Sequence, residues 1–443
     1  MANEVIAAIA TPTGRGGIGV VRVSGPRLES LLWALVKTDV IPRRATRAEF
    51  RNADGGIIDQ GLVLYFPAPH SYTGEDVIEL QGHGGPVVMQ LVLQRCLELG
   101  ARVADPGEFT KRAYLNDKLD LAQAESVADL INASTAEAAR CAMRSLQGDF
   151  SHRIDAMVKA LIELRTLVEA ALDFPEEDVE FLEHAHARAK LESVREQLSQ
   201  VVAAARQGSL LCEGIHVVLA GQPNVGKSSL LNRLAASERA IVTAIPGTTR
   251  DTIRETIAIR GVPLHVIDTA GLRDPRDEVE KIGISKTWEA ISHADVVVWV
   301  SDISRPDTHA ADLNLAARLP AGVPQLPAIN KIDLIEKRGS RSTRDCGIEI
   351  SCKTGVGLEE LQIAILDAAG WGSSEGIFIA RARHLSALHT AQDHLEQARV
   401  SEAELELYAE ELKLAQHALA SITGEFTSDD LLGKIFSQFC IGK

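Results

Sequence analysis

Gly221, Gly226, Lys227 and Ser228 fall in the run GQPNVGKSSL with the spacing GxxxxGK[ST]. Glycines at those positions let main-chain N–H groups curl inward as a nest for an anion. The lysine adds a point charge for the outer phosphates of a nucleotide, and the serine hydroxyl suits Mg²⁺. Asn224 lies inside the same run, between the glycines, and its amide oxygen can ligate a monovalent cation beside those phosphates; Val225 and Ser229 complete the stretch. A polar loop follows, TAIPGTTRD at 243–251, in which Thr248 or Thr249 can reach a second Mg²⁺ position. DTAG comes next (Asp268, Thr269, Ala270, Gly271), with an aspartate for the metal's water and a glycine for close approach to the γ-phosphate. NKID then sets Asn330 and Lys331 ahead of Asp333, and Ser351, Cys352 and Lys353 stand where a loop would close over a base. A carboxylate at Asp333 can grip the two N–H groups of guanine. Adenine lacks that pair, and a polar site left unpaired rejects the wrong base by on the order of 10⁴. Five such groups in this order predict GTP binding.

The elements needed to position them are legible around them. The apolar run Ile215–Leu219 enters the first loop as a strand and a helical pattern opens behind Ser228. Thr252–Ile259 and Pro263–Asp268 read as two strands hinged at Gly261, and Asp295–Val300, Leu326–Asn330 and Gly347–Ile350 as three more. Residues 211–374 are thus expected to form a Ras-like P-loop α/β domain.

The flanks differ. Residues 1–118 hold 14 of the 34 glycines, with short strands at Ile18–Val23, Gly61–Phe66 and Asp76–Gln81 and helices at Leu28–Val36 and Pro86–Leu99, an α+β domain. Arg22 and Glu79 sit inside apolar strands, where an unpaired charge is costly, so they either pair with each other or line a pocket for a polar ligand. Residues 119–210 are helical, with Ile154, Met157, Leu161, Leu164 and Val168 at helical spacing and DFPEEDVEF at 173–181 as a solvated break. Residues 375–443 are helical again, with Tyr408, Leu412, Ala415, Leu419 and Ile422 on one stripe. Two helical segments around the nucleotide domain predict a discontinuous helical domain with the GTPase inserted into it.

A net charge of −15 over 443 residues argues against a broad basic face for nucleic acid. Six scattered cysteines without a CxxC pair, no basic flank of a signal peptide and no apolar run of membrane length predict a reduced, cytoplasmic protein with no membrane association.

Hydrolysis needs a group to orient water, and the glutamine that follows DxxG in ordinary small GTPases is here Leu272. Asp274, Asp277, Glu278 and Glu280 are candidates downstream, and Arg250 and Arg254 can neutralise charge. With GQPNVGKSSL, IPGTTRD, DTAGLR and NKID, the stretches SYTGEDVIELQGHGG, LNDKLDLAQAESVADLI, DFPEED and the terminal FCIGK make the chain resemble, end to end, the MnmE (TrmE) family of bacterial tRNA-modifying GTPases.

The resemblance implies a folate-binding, dimerising domain over 1–118 and a helical domain in two parts, 119–210 and 375–443. It also implies a GTPase domain whose hydrolysis is stimulated by dimerisation, and a flavoprotein partner, MnmG (GidA). Together the two modify carbon 5 of the wobble uridine of tRNAs, with 5-formyltetrahydrofolate or another tetrahydrofolate supplying the one-carbon unit. By the same resemblance Asn224, Thr243, Ile245 and Thr248 hold K⁺, and Ser228 and Thr249 hold Mg²⁺. The nucleotide site takes in Ala244, Pro246 and Gly247, and Pro246 departs from the non-proline residue of many relatives. Glu280 orients the water, with Arg250 and Asp251 as further catalytic candidates. Arg22, Glu79, Lys118 and Lys443 hold the folate, and Cys440 serves tRNA modification beside it. Because the chain is acidic, much of the tRNA contact is expected from the partner, with Arg381 and Arg383 adding little. The competing reading is a GTPase switch of the ribosome-assembly kind, acting by conformation alone; it lacks the first domain and the FCIGK tail.

Overall fold

The computed structural model describes residues 4–173, 180–237, 254–268, 294–304, 322–334, 347–372, 377–425, 429–437 and 439–442. They fall into two compact units: Met1–Ala128 with Ile154–Lys159 and Gln416–Lys443, and Asp129–Arg153 with Ala160–Ala415.

The first unit holds a six-stranded sheet in the order β3-β4-β5-β2-β1-β6, from β1 (Ile6–Ile9), β2 (Gly19–Gly25), β3 (Thr46–Arg51), β4 (Ile57–Phe66), β5 (Asp76–Gly82) and β6 (Arg102–Val103). Neighbours are antiparallel except β1 and β6. Period-2 alternation sends Val21, Val23, Val63, Ile78 and Leu80 to one face, where α1 (Glu29–Val36) and α2 (Pro86–Glu98) cover them with Leu32, Leu35, Met89 and Val92. Arg22 and Glu79 fall on the opposite face, directly across from each other in the register of β2 and β5. Next come α3 (Glu108–Leu115) and α4 (Leu121–Asn132). Leu121, Ala124 and Ala128 of α4 form a small core with Leu432, Ile435, Phe436 and Phe439, from and just beyond the terminal helix Asp429–Phe436.

The second unit carries α5 (Ala136–Leu146) and α7 (Glu180–Glu213); α6 (Asp149–Asp173), whose residues 154–159 belong to the first unit, buries Ile154, Met157, Leu161, Leu164 and Val168, the anticipated stripe. Thr135 caps α5 by accepting from the Ala138 N–H at 3.1 Å. The second sheet runs β12-β11-β10-β7-β9-β8, from β7 (Ile215–Ala220), β8 (Arg254–Ile259), β9 (Val262–Asp268), β10 (Val296–Asp302), β11 (Gln325–Asn330) and β12 (Ile348–Glu349). All neighbours are parallel except β8 and β9. The central strands β7 and β10 are buried on both faces, which is why they read as apolar runs. Val217, Leu219, Val298 and Val300 pack with Leu230 and Leu234 of α8 (Lys227–Ser237) and Leu361 and Ile365 of α9 (Leu358–Ala368). Val218, Ala220, Ile267 and Val297 form the other layer.

Helix α10 (Ala382–Val400) packs against α7, bridged by Arg195 and Glu396, as expected of segments on either side of the nucleotide domain. The stripe of the following helix, Leu405–Thr423, is buried from Tyr408 to Ile422. Where the chain leaves the parallel sheet, the Gln207 amide closes on the backbone, donating to Gly370 O at 2.7 Å and accepting from Gly372 N at 2.8 Å. Among the described residues no helix is long and apolar enough to cross a membrane.

Candidate functional site

At the carboxyl ends of β7, β10 and β11 the loops converge, the place where open parallel sheets bind ligands. Gly221 leaves β7 with φ +139°, and a Cβ there would stand 2.1 Å from Val300 O. A Cβ on Gly226, at φ +102°, would stand 2.3 Å from Asn330 Nδ2. Only glycine fits either position, so the loop is pressed against β10 and β11. Lys227 is buried at the start of α8 and donates to Gly221 O at 2.7 Å and Gln222 O at 3.2 Å. Its ammonium is therefore held across the mouth of the loop. Ser228 and Ser229, on the first turn of α8, are exposed.

The predicted base-reading residues come together with this loop. Asn330 is buried; its Nδ2 donates to Val225 O at 2.8 Å and its Oδ1 accepts from Cys352 N at 3.2 Å. One amide thus joins the phosphate loop to the segment after β12. Asp333 is exposed, and its Oδ1 accepts from the buried Ser351 hydroxyl at 2.7 Å, which aims the carboxylate. Burial pushes the Cys352 thiol up, so it stands as a neutral group at the site's wall. Lys353 is exposed. Lys331 Nζ donates to Asn224 O at 2.8 Å and to Asp302 Oδ2 at 2.6 Å.

Asp302 is a residue the motif reading missed. It is buried at the end of β10, opposite Asn330 in register. Burial works against its ionisation, but the Lys331 ammonium and the hydroxyl and N–H of Ser304 outweigh that and hold its pKa at about 2. The signal was a carboxylate closing the apolar run VVVWVSD beside the strand that ends in Asn330. Thr243, Ala244, Ile245, Pro246, Gly247, Thr248, Thr249, Arg250, Asp251, Thr269, Ala270, Gly271 and Glu280 lie outside the described residues. Asp268, the first residue of DTAG, ends β9 beside Leu219 of β7.

A second constellation lies on the first unit's sheet. Arg22 donates to Glu79 Oε1 from Nη2 at 2.8 Å and Nε at 3.1 Å. The pair that the sequence left open therefore closes on itself, about one-fifth exposed on either side. The guanidinium lies 5.5 Å from the Tyr72 ring centroid and 5.8 Å from that of Phe109, a flat apolar wall. Lys118 comes near the same hairpin: a Cβ on Gly74 would be 3.3 Å from its Cε. The chain's tail arrives beside it. Gly442 rests on Ile9 and Ala10, and Cys440, exposed, accepts at its carbonyl from Gly107 N at 3.4 Å. Lys443 lies outside the described residues. A partly buried ionic network was not foreseen from sequence: Glu108 joins Arg102 at 2.6 Å and Arg112 at 3.0 Å, and Arg112 joins Glu75 at 2.8 Å. Burial opposes ionisation of Glu108, yet Arg102, the Asp105 N–H and Arg112 hold its pKa down at about 2. Arg381 is tied to Asp129 at 2.6 Å, which occupies one of the two arginines considered for tRNA.

The sequence matches the GTP-binding protein TrmE N-terminus family over residues 5–118 and the MnmE helical domain family over residues 121–440. It is 59% identical over 449 residues to the tRNA modification GTPase MnmE of Nitrosomonas europaea, covering 100% of this chain and 99% of that protein. With its counterpart from Ralstonia nicotianae it shares 58% over 456 residues, covering 99% and 96%. Among solved structures, the G domain of the T. maritima FeoB iron transporter is similar at 28% identity, covering 35% of this chain and 98% of that one, with a TM-score of 0.28. Alike over its whole length to the tRNA modification GTPases of Nitrosomonas europaea and Ralstonia nicotianae, the chain belongs to the MnmE family of tRNA modification GTPases.

Proposed function

We propose that this protein is a K⁺-dependent GTPase. With a flavoprotein of the MnmG (GidA) kind, it modifies carbon 5 of the wobble uridine of tRNAs using a tetrahydrofolate one-carbon unit. The observation that carries the GTPase reading is the Asn330 amide, which joins the Val225 carbonyl to the Cys352 N–H and so binds phosphate loop and base loop into one site. In this reading Gly226, Lys227 and the N-terminus of α8 take the phosphates, and Asp333, aimed by Ser351, reads guanine. The exposed hydroxyl of Ser228 is the hard oxygen donor that Mg²⁺ prefers, with Thr249 as its second protein ligand. Asn224 is exposed in the loop, and its amide oxygen suits K⁺, completed by Thr243, Ile245 and Thr248. When bound, these cations supply positive charge where negative charge develops on the phosphates. Glu280 orients the attacking water, and Arg250 and Asp251 assist.

The Arg22–Glu79 pair against Tyr72 and Phe109 supports the folate reading: an aromatic wall for a flat ring, an acidic group for its N–H donors, and basic groups, Lys118 and Lys443 among them, for a carboxylate tail. Cys440, whose carbonyl accepts from Gly107 N, lies two residues before Gly442, which rests on Ile9 and Ala10. The domains assigned are 1–118 for folate and dimerisation, 119–210 and 375–443 for the helical domain, and 211–374 for the GTPase; the working form is a cytoplasmic homodimer.

GTP turnover measured in KCl and in NaCl at equal ionic strength tests the cation: faster turnover in KCl is expected, and equal rates would remove K⁺ from the mechanism. Wobble-uridine modification reconstituted with and without the flavoprotein tests the larger claim. Modification that is lost without GTP or without the partner is the outcome expected.

A further inference from the structure

Two residues of the nucleotide site that are not glycine hold left-handed backbones: Asn224 at φ +65° and Lys331 at φ +68°. Such conformations persist where surrounding contacts over-determine them. Here one group ties both together, because the Lys331 ammonium donates to the carbonyl of Asn224 at 2.8 Å. The ammonium is in turn fixed from behind. Asp302 Oδ2 accepts from it at 2.6 Å, while Oδ1 accepts from Ser304 N at 2.9 Å and Ser304 Oγ at 2.7 Å. Both oxygens of a carboxylate only 5% exposed are thus committed, and the carboxylate cannot turn away. Lysine has a long rotatable stem and would by itself leave for water; with Asp302 present it stays over the phosphate loop.

We propose that Asp302 is a positioning residue for nucleotide binding. Acting through Lys331, it locks the base-reading segment after β11 to Asn224 of the phosphate loop, so both halves of the site are set before the nucleotide arrives. The inference rests on the GTP reading above and adds to it a residue that no motif contains. A preorganised site spends less binding energy on ordering, so loosening it weakens affinity more than turnover.

The test is a titration of nucleotide-free protein with a fluorescent GTP analogue, alongside steady-state turnover, for wild type, Asp302→Ala, Asp302→Asn, Lys331→Ala and the Asp302→Ala/Lys331→Ala double variant. Asp302→Ala and Lys331→Ala are each expected to raise Kd and KM about tenfold or more, with kcat at saturating GTP falling far less. The double variant should be no weaker than the weaker single variant, since the two residues act as one unit. Asp302→Asn keeps the shape and loses the charge, and carries the test if the alanine variant does not fold. Unchanged Kd in a folded variant, additive losses in the double variant, or a fall in kcat without a rise in KM would overturn the inference. Wild-type protein that binds no GTP would overturn the nucleotide reading and this inference with it. Wild-type binding with unaltered variants would overturn this inference alone.

Discussion

The two six-stranded sheets put their polar residues in different places, and the difference follows from strand direction. In the parallel sheet both faces are filled, so polar groups gather where the strands end: Gly221 after β7, Asp302 closing β10, Asn330 closing β11. In the mainly antiparallel sheet one face is covered by α1 and α2, and the charged pair Arg22–Glu79 stands mid-strand on the other. A site at strand ends is made of loops held by backbone contacts, and its residues are specified by spacing. A site on a sheet face is made of side chains brought together by register, and its residues are far apart in sequence. The first kind is held by contacts between its loops, Lys331 to Asn224 and Asn330 to Val225; the second stands closed on its own ion pair.

Exchanging one residue at each place makes the contrast measurable. The largest effect is expected at the strand ends. If Asp333 reads guanine as proposed, Asp333→Asn should weaken GTP by on the order of 10³–10⁴ and improve binding of xanthosine triphosphate. A competition assay with the two nucleotides reads this directly, and unaltered preference would dissociate Asp333 from the base. On the sheet face, Glu79→Ala leaves the Arg22 guanidinium half-buried without its acceptor, costing about 1–3 kcal/mol. Thermal unfolding should drop by several degrees, and calorimetry with 5-formyltetrahydrofolate should show no binding. A loss of stability with folate binding intact would make the pair structural only.

The smallest effect at neutral pH concerns acid. Glu108 in the first unit and Asp302 in the second both have pKa values held at about 2, below their unfolded values. Stability from a carboxylate lowered in this way is fully present above its unfolded pKa and is lost as pH falls through the folded one. Both units should therefore weaken between about pH 4.5 and pH 2, and Glu108→Gln should flatten that loss for the first unit alone. A pH titration of unfolding followed by probes in each unit would show it, and an unaltered slope in Glu108→Gln would assign the acid sensitivity elsewhere.

How much could be read in advance divides along the same line. GxxxxGK[ST] and NKID are short segments whose geometry is dictated locally, and the strands on either side announce themselves as apolar runs. Asn330 reaches the phosphate loop at Val225 and Ser351 reaches Asp333, while Lys227 closes on its own loop at Gly221. Asp302 escaped because its partner, Lys331, is 29 residues away and one carboxylate at the end of an apolar run has no spacing to mark it. Arg22 and Glu79 were suspect as charges in apolar strands, but that they meet each other depends on β2 lying next to β5, a register no local pattern encodes. In the network of Arg102, Glu108, Arg112 and Glu75, Glu108 and Arg112 are an i,i+4 pair on one helix, but their links to Arg102 and Glu75 depend on the fold. Ordinary helical charges look alike until the fold buries some of them.

The terminal helix also bears on how the protein is made. Leu121, Ala124 and Ala128 are covered by Leu432, Ile435, Phe436 and Phe439. Roughly 300 residues must therefore leave the ribosome before that surface is sealed, a delay of tens of seconds at ~5–20 residues per second. Through that interval the nascent first unit carries a bare greasy strip beside Tyr114 of α3. A translation stall late in the message would leave it open to chaperones or to aggregation.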